Sequence, residues 1–277
     1  MKTAEYKIKK FEEIQKQIAR QYIYIPESHC GTIDPDSAGD HAQNGYVKVC
    51  ADRFGPFSPL YYNQTRRIVF LVKEPYYSGE LTGGYDGTDK VKDYGSCSWK
   101  ELGDGGSIKI YQNIAQCAFQ IITGRPMDRD SAKDQELAVR CLRENVCIIN
   151  VNFFPLIAPP NNPSKASNNN LIYKWSLINK LLINEMLDIC DPQIVIGGST
   201  LTHFCDPTAS SIFNQDVRII NTRTTQQALG KNGIIYCNNR VFINAYHPSC
   251  PRFLSQIPAI HKIISDWERG DLSHWEG

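Results

Sequence analysis

Hydrophobic residues recur along the chain with two spacings, one typical of helices and one typical of buried strands. Between residues 5 and 22 the apolar side chains lie three or four positions apart, which predicts an amphipathic helix. The same spacing predicts further helices at 107–122, 131–145, 171–189 and 258–269. Short continuous apolar runs predict buried strands at 67–72, 146–151, 193–196 and 240–245.

The alternation of these strands with helices predicts the fold class. Solidly apolar strands are typical of a parallel sheet that is covered on both faces. We therefore expect an α/β fold, namely a three-layer α/β/α domain with a short, mostly parallel, four-stranded sheet at residues 63–277, preceded by a helical and irregular N-terminal extension at 1–62. A run at 233–237 forms a hairpin-like pair with the fourth core strand, and 217–221 is either an edge strand or a loop beside a helix.

Composition narrows the class of protein further. The chain has 277 residues, and its apolar runs are shorter than the roughly 20 residues that span a bilayer. The first 20 residues are charged and lack the apolar core of a secretory signal. None of the ten cysteines is spaced as Cys-x-x-Cys, which argues against a zinc ribbon, a redox pair and an iron–sulfur site. We expect a monomeric cytoplasmic protein, nucleoid-associated in a bacterium, with reduced thiols, no membrane partner, and no metal or other cofactor.

The charges balance overall but are unevenly distributed along the sequence. The net charge is +1, yet the stretch 217–265 carries six Lys or Arg residues and no acid, and 145–184 carries three and no acid. The remainder of the chain is therefore net negative. If the two stretches meet in the fold, they form a positive face that attracts phosphates, although chance depletion of acids is the simpler explanation.

Polar residues follow each of the four core strands. Glu74 comes after the first strand, Asn150 at the end of the second, a Gly-Gly-Ser turn ending at Ser199 after the third, and His247 after the fourth. In a parallel α/β sheet, ligands bind outside the carboxyl ends of the strands. The carboxylate, amide and imidazole together suit a site that reads a polar ring and activates a water molecule.

These ordered motifs resemble those of the uracil-DNA glycosylase superfamily over about residues 66–265. The turn at 72–76, Val-Lys-Glu-Pro-Tyr, stands where that family has Gly-Gln-Asp-Pro-Tyr or Gly-Glu-Ala-Pro-Gly. Asn150 ends the next strand, and a Pro-rich loop, a helix and a Pro–strand–Gly unit at 191–198 follow. The last motif is His-Pro-Ser at 247–249. The resemblance implies the family's fold and a DNA partner, and its members flip a nucleotide into a pocket before cleaving the N-glycosidic bond.

The resemblance also implies roles for the residues in these motifs. Glu74 would orient a water molecule at the anomeric carbon and offset positive charge on the sugar. His247 would donate a hydrogen bond to the leaving base oxygen. The Asn150 amide would pair with a uracil edge, and Tyr76 would exclude the methyl group of thymine.

The resemblance implies substrate contacts for several further residues. A long Gly- and Tyr-rich loop is predicted from Glu74 to about residue 106. An aromatic residue of this loop, Trp99 or Tyr94, would stack on the base, and Arg252 or Phe253 would fill the gap in the duplex. Three hydroxyl residues would bind the flanking phosphates: Ser78, Ser199 and Ser249.

Two departures from the family pattern affect the first motif. Val72 replaces the opening Gly, and Lys73 replaces Gln, so that Lys73 either pairs with Glu74 or meets a phosphate or the substrate. Glu74 is also one methylene longer than the Asp of the best-known branch. Simpler roles remain for each residue: a surface acid for Glu74, a core histidine for His247 and a strand-end cap for Asn150.

The sequence therefore predicts a monofunctional DNA glycosylase for uracil or a related deaminated base, acting without a covalent lysine intermediate. Two alternatives stay open. One is a relative that binds nucleic acid without cleaving it, and the other is a nucleoside or nucleotide hydrolase that uses the same edge of the sheet.

Overall fold

A computed structural model provides the structure of the chain. It describes residues 3–19, 22–24, 31–36, 46–48, 55–56, 58–74, 76–77, 97–103, 110–153, 156–157, 167–201 and 217–277.

Five of the eight helices in the described ranges lie where the periodicity predicted them. Three short helices were not predicted, and one of them, Trp99–Gly103, lies in the segment 74–106 that was predicted to be a loop. Their bounds are α1 (Ala4–Ala19), α2 (Trp99–Gly103), α3 (Ile110–Thr123), α4 (Ala132–Asn145), α5 (Asn169–Cys190), α6 (Arg223–Leu229), α7 (Phe253–Glu268) and α8 (Ser273–Glu276). The predicted helix ends are confirmed to within a few residues, with one exception. Helix α7 begins at Phe253, five residues before Pro258, where the sequence predicted its start.

The strands include all four predicted core strands and several short ones. Their bounds are β1 (Tyr22–Tyr24), β2 (Tyr46–Lys48), β3 (Gly55–Pro56), β4 (Ile68–Val72), β5 (Tyr76–Tyr77), β6 (Val146–Asn150), β7 (Leu156–Ile157), β8 (Ile194–Gly198), β9 (Arg218–Ile220), β10 (Ile234–Cys237) and β11 (Val241–Ala245). Strand β1 pairs antiparallel with β2, and β5 pairs parallel with β7.

The main sheet is wider than the sequence predicted. It has seven strands in the order β3-β6-β4-β8-β11-β10-β9, and β8 is parallel to both neighbours, β4 and β11. Beyond β11 the hairpin strand β10 and the edge strand β9 are antiparallel. The α/β class is confirmed, but the four-stranded sheet is wrong, because β10 and β9 extend it at one edge and β3 extends it at the other.

Strand β4 shows how the sheet is buried. Ile68, Phe70 and Val72 share one face and belong to the main hydrophobic core, together with side chains of α3, α4 and α7. Val69 and Leu71 point to the opposite face, because side chains alternate along a strand, and they are almost fully buried as well. Both faces of this strand are therefore covered, as a solidly apolar strand requires.

The chain divides into two compact units, each built from segments that are not contiguous in sequence. The first unit comprises residues 1–55, 73–91 and 149–189, and the second comprises 56–72, 92–148 and 190–277. The N-terminal segment thus belongs to the same unit as the residues that follow β4 and β6.

Two expectations from composition meet the structure directly. None of the helices in the described ranges is long and apolar enough to cross a membrane. The seven cysteines that the structure describes are all free thiols, and six of them are buried, as expected for reduced cysteines.

Candidate active site

The segments that follow β4 and β6 run side by side in the first unit. The backbone N–H of Asn152 donates to the carbonyl of Lys73 over 2.9 Å, and a little further on β5 pairs with β7. This pairing brings the Glu74 motif next to the end of β6. The sequence predicted this neighbourhood from strand order alone.

The Glu74 carboxylate is held on both oxygens. Its Oε1 accepts from the Thr32 hydroxyl over 2.9 Å, and its Oε2 accepts from the Asn152 amide over 2.8 Å. A side-chain hydrogen bond with Ser167 completes the set. Burial raises the pKa of Glu74 above its ordinary value, although these hydrogen bonds and the nearby Lys73 each act to lower it. Glu74 is thus a half-buried, oriented acid and not a surface turn residue.

Thr32 connects Glu74 to the start of α5. Its hydroxyl donates to Glu74 and accepts from the backbone N–H of Asn168 over 2.8 Å. The Asn168 side chain in turn accepts from the N–H groups of Asn170 and Leu171 and so caps α5. Thr32 is only 5% exposed, and its position is therefore set by the helix cap.

The sequence analysis missed three residues that hold Glu74. Asn152 carried a signal, because it stands two positions after Asn150 in an Asn-Val-Asn sequence and therefore lies on the same side of the extended chain. Thr32 and Ser167 carried none, because each comes from a Pro-, Asn- or Ser-rich segment far from Glu74 in sequence.

Asn150 ends β6, and its residue is 4% exposed. Its carboxamide is not among the fully buried side-chain polar atoms that lack a hydrogen-bond partner in the described part of the chain. A carboxamide can both donate and accept, so it is chemically able to pair with the edge of a polar ring. Its predicted contact with a base edge stays a prediction.

Lys73 does not form an ion pair with Glu74. Its ammonium donates to the Oδ1 of Asn169, at the start of α5, over 2.8 Å, and burial lowers the pKa of Lys73. Of the two alternatives that the sequence left open, pairing with Glu74 is therefore wrong. A role toward substrate or phosphate stays a prediction.

Tyr76 is placed only in part. It is in β5, where its backbone pairs with Leu156, but its side chain lies outside what the structure describes. Ser78 and Tyr94 lie outside the described residues altogether. Their predicted contacts with the base or a phosphate stay predictions.

His247 belongs to the second unit, directly after β11. Its Nδ1 accepts from the backbone N–H of Ser249 over 3.2 Å, and the Ser249 hydroxyl lies 2.8 Å from the same nitrogen. Because Nδ1 accepts, the proton of the neutral imidazole is on Nε2. Ser249 therefore orients the imidazole of His247. The sequence predicted only a phosphate contact for Ser249.

The Gly-Gly-Ser turn after β8 lies against the ring of His247. A Cβ at Gly198 would lie 2.9 Å from the His247 ring, so glycine allows the close approach. Ser199 adopts φ +58°, and both its N–H and its hydroxyl donate to the carbonyl of Ala245. The Ser199 hydroxyl thus already has an acceptor. Its oxygen can still accept a hydrogen bond, but an unprotonated phosphate has no proton to donate, so this contact does not favour the predicted phosphate binding by Ser199.

The two candidates for the duplex wedge differ sharply in exposure. Phe253 is fully buried and packs edge-on against Phe70 of β4, with ring centroids 6.4 Å apart. Its insertion into a duplex is incompatible with this packing, so the prediction for Phe253 is wrong. Arg252 is exposed and keeps the prediction; its pKa is raised by a hydrogen bond with Tyr246.

Trp99 begins α2 in the second unit. Its indole is half-buried and packs against the main core, and its carbonyl accepts from the Gln112 amide over 2.8 Å. It also lines a cavity beside α4. The predicted constellation therefore divides between the units: Glu74 and Asn150 belong to the first, and His247 and Trp99 belong to the second.

Known proteins give no indication of the function of this chain. No family model, no curated protein and no solved structure matches the chain. Within the described residues, no three His, Cys, Asp or Glu side chains are grouped as ligands for a metal ion.

Proposed function

We propose that the protein is a monofunctional DNA glycosylase that hydrolyses the N-glycosidic bond of uracil or a related deaminated base. The observation that supports the proposal is the combination, in one unit, of the oriented acid Glu74 and the amide of Asn150 at the end of β6. An acid with a raised pKa suits proton transfer, and an amide that can both donate and accept suits the recognition of a polar ring. We identify that ring as a flipped base because of the ordered motifs along the chain.

In the proposed reaction, Glu74 acts on the attacking water. Its carboxylate orients the water at C1′ of the flipped nucleotide and takes up a proton as the C1′–O bond forms. The negative charge of the carboxylate also opposes the positive charge that develops on the sugar. Thr32 and Asn152 hold the two oxygens, so the carboxylate is already aligned before the substrate arrives.

The base leaves as an anion, and donors are needed to receive it. The Asn150 amide can donate to a carbonyl oxygen and accept from an N–H of the same base edge. His247 carries its proton on Nε2, which is the donor that the proposal assigns to the leaving oxygen. The electron pair of the broken C–N bond goes to the base, which is protonated on release.

The test is base release from oligonucleotides that carry one uracil, hypoxanthine, xanthine or mismatched thymine, as single and double strands with EDTA present. Alkaline cleavage of the resulting abasic site reports the product. We expect release of one of these bases, lowered at least about 100-fold in Glu74→Gln, because a positioned base contributes roughly 10²–10⁴ in rate. Loss of the His247 donor in His247→Ala lowers the rate about 100- to 1,000-fold.

Glu185→Gln is the matched control, because Glu185 is an exposed acid on α5 of the same unit as Glu74. It is expected to keep the wild-type rate. Full activity in both Glu74→Gln and His247→Ala would refute the assignment. Salt-sensitive DNA binding without an abasic product would replace it with a binding protein, and turnover of free nucleosides or nucleotides alone would replace it with a nucleotide-directed hydrolase.

A further inference from the structure

A cavity lies in the second unit, between α2 and α4. Its volume is about 620 Å³, within the usual range of small-molecule sites. None of the residues assigned to the proposed reaction lines it. Trp99 of α2 and Leu137 and Val139 of α4 contribute apolar surface, and five charged or polar side chains of α4 line the cavity as well.

Trp99 is firmly anchored at one side of this cavity. Leu102, one turn further along α2, is buried in the core, and the Gln112 amide binds the Trp99 carbonyl. The indole is only half-buried, and its N–H has no acceptor in the described part of the chain. A rigid, partly exposed indole offers a flat surface on which a planar ring can stack.

Cations of α4 line the same cavity. Lys133 and Arg140 are seven residues apart, so they lie on one face of the helix, two turns apart. Neither forms an ion pair with a described carboxylate, whereas Arg143, further along, binds Glu144 over 3.1 Å. Two cations that form no ion pair with a described carboxylate attract an anion to the cavity wall.

The acids near the cavity only partly oppose this charge. The Glu101 carboxylate accepts from both the N–H and the hydroxyl of Ser98, at 2.7 Å each, and so is used at the start of α2. Asp134 is bound by Arg125. Glu136, which also lines the cavity, is the acid that would repel an anion.

We propose that this cavity binds a planar aromatic base that carries a phosphate, either as a free nucleotide or as part of a nucleic-acid strand. The base stacks on Trp99, and the phosphate binds Arg140 and Lys133. Stacking on an aromatic side chain next to basic residues is how many proteins hold unpaired bases. The proposal uses neither Glu74 nor Asn150 nor His247, and it assigns Trp99, which the sequence predicted to stack on a flipped base, to this cavity instead.

The test is calorimetric titration of the full-length protein with four probes: adenosine 5′-monophosphate, adenosine, inorganic phosphate and a short oligodeoxyadenylate. We expect the monophosphate to bind at least about tenfold more tightly than adenosine or phosphate alone, because both contacts are then made. Binding by the monophosphate assigns the cavity to free nucleotides, and binding by the oligonucleotide alone assigns it to nucleic acid.

Variants separate the two contacts. Trp99→Leu weakens the binding of both monophosphate and adenosine about tenfold, since it removes the stacking surface. Arg140→Gln weakens the monophosphate about tenfold and leaves adenosine nearly unchanged, whereas Glu136→Gln tightens the monophosphate. Lys100→Gln is the matched control, because Lys100 is an exposed cation of α2 that does not line the cavity.

Two results would overturn the proposal. One is the absence of saturable binding by both the monophosphate and the oligonucleotide in the millimolar range. The other is binding that neither Trp99→Leu nor Arg140→Gln alters, which would place the ligand elsewhere. Glu74→Gln is expected to leave this binding intact, so its outcome is independent of whether the protein releases bases.

Discussion

Two opposing effects act on the Glu74 carboxyl. Burial removes water from the charged form, and hydrogen bonds from Thr32, Asn152 and Ser167 stabilise that form. Burial is the larger effect, so the pKa is raised. Carboxyls whose pKa is raised by burial are typical of functional sites, because the raised pKa brings the group closer to the working pH.

The raised pKa of Glu74 makes the stability of the protein depend on pH in a defined direction. The ordinary pKa is 4.5, and the folded value lies above it, so the folded state binds the proton more tightly than the unfolded state. This contribution is present below pH 4.5 and is lost as the pH rises through the folded pKa. Urea denaturation between about pH 4 and pH 8 should show the wild type losing stability relative to Glu74→Gln. Parallel curves for the two proteins would contradict this expectation.

A substitution at Thr32 offers a second test of the Glu74 carboxyl. Its hydroxyl donates to the charged form of Glu74, so Thr32→Val removes a stabilising bond and raises the pKa of Glu74 further. If the ionised carboxylate is the working base, the acid limb of the pH–rate profile should shift to higher pH, while the rate on the plateau changes less. Ser176→Ala is the control, because Ser176 is a buried hydroxyl of the same unit that binds Tyr173 instead. An unmoved acid limb in Thr32→Val would separate Thr32 from catalysis.

At the scale of elements, the sequence predicted what is local and missed what depends on tertiary contacts. Strands β4 and β8 and helix α4 follow from continuous apolar runs or from a capping Ser131, which are properties of adjacent residues. The start of α7 was misplaced at Pro258, since proline favours the first turn of a helix. The preceding turn is nevertheless helical, because Phe253 and Ile257 bury their side chains in the core, and this packing outweighs the hydrogen bond that proline cannot make.

The candidate site shows the same division. Strand order predicted Glu74 and Asn150, since each directly follows or ends a core strand. The residues 31–36 were assigned to an extension, yet they dock on α5: Trp175 donates to the carbonyl of Ile33 over 2.7 Å, and Lys174 pairs with Asp34. No local sequence pattern predicts these contacts, because the partners are more than a hundred residues apart.

At the scale of the whole molecule, the uneven charge of the sequence is partly cancelled by folding. The stretch 217–265 has no acid of its own, but Arg240 binds Asp191 over 3.2 Å, Lys262 binds Asp266, and Arg218 binds Glu276. These acids all come from outside the stretch. The cations of the stretch that form no ion pair with a described acid are Arg223, Lys231 and Arg252. A positive face predicted from sequence alone therefore overstates the charge that is available to a partner.

This difference between paired and unpaired cations predicts how DNA binding depends on salt. A cation that meets a phosphate releases about one counterion, so its loss lowers the slope of log affinity against log salt by about one. Arg252→Gln should show that loss, because Arg252 is exposed, has no described carboxylate within ion-pair distance and stands next to the His-Pro-Ser motif. Arg240→Gln removes the same charge from the chain, but Arg240 is already paired with Asp191, so the slope should stay close to that of the wild type. Equal slopes for the two variants would mean that net charge alone sets the affinity and that Arg252 makes no phosphate contact.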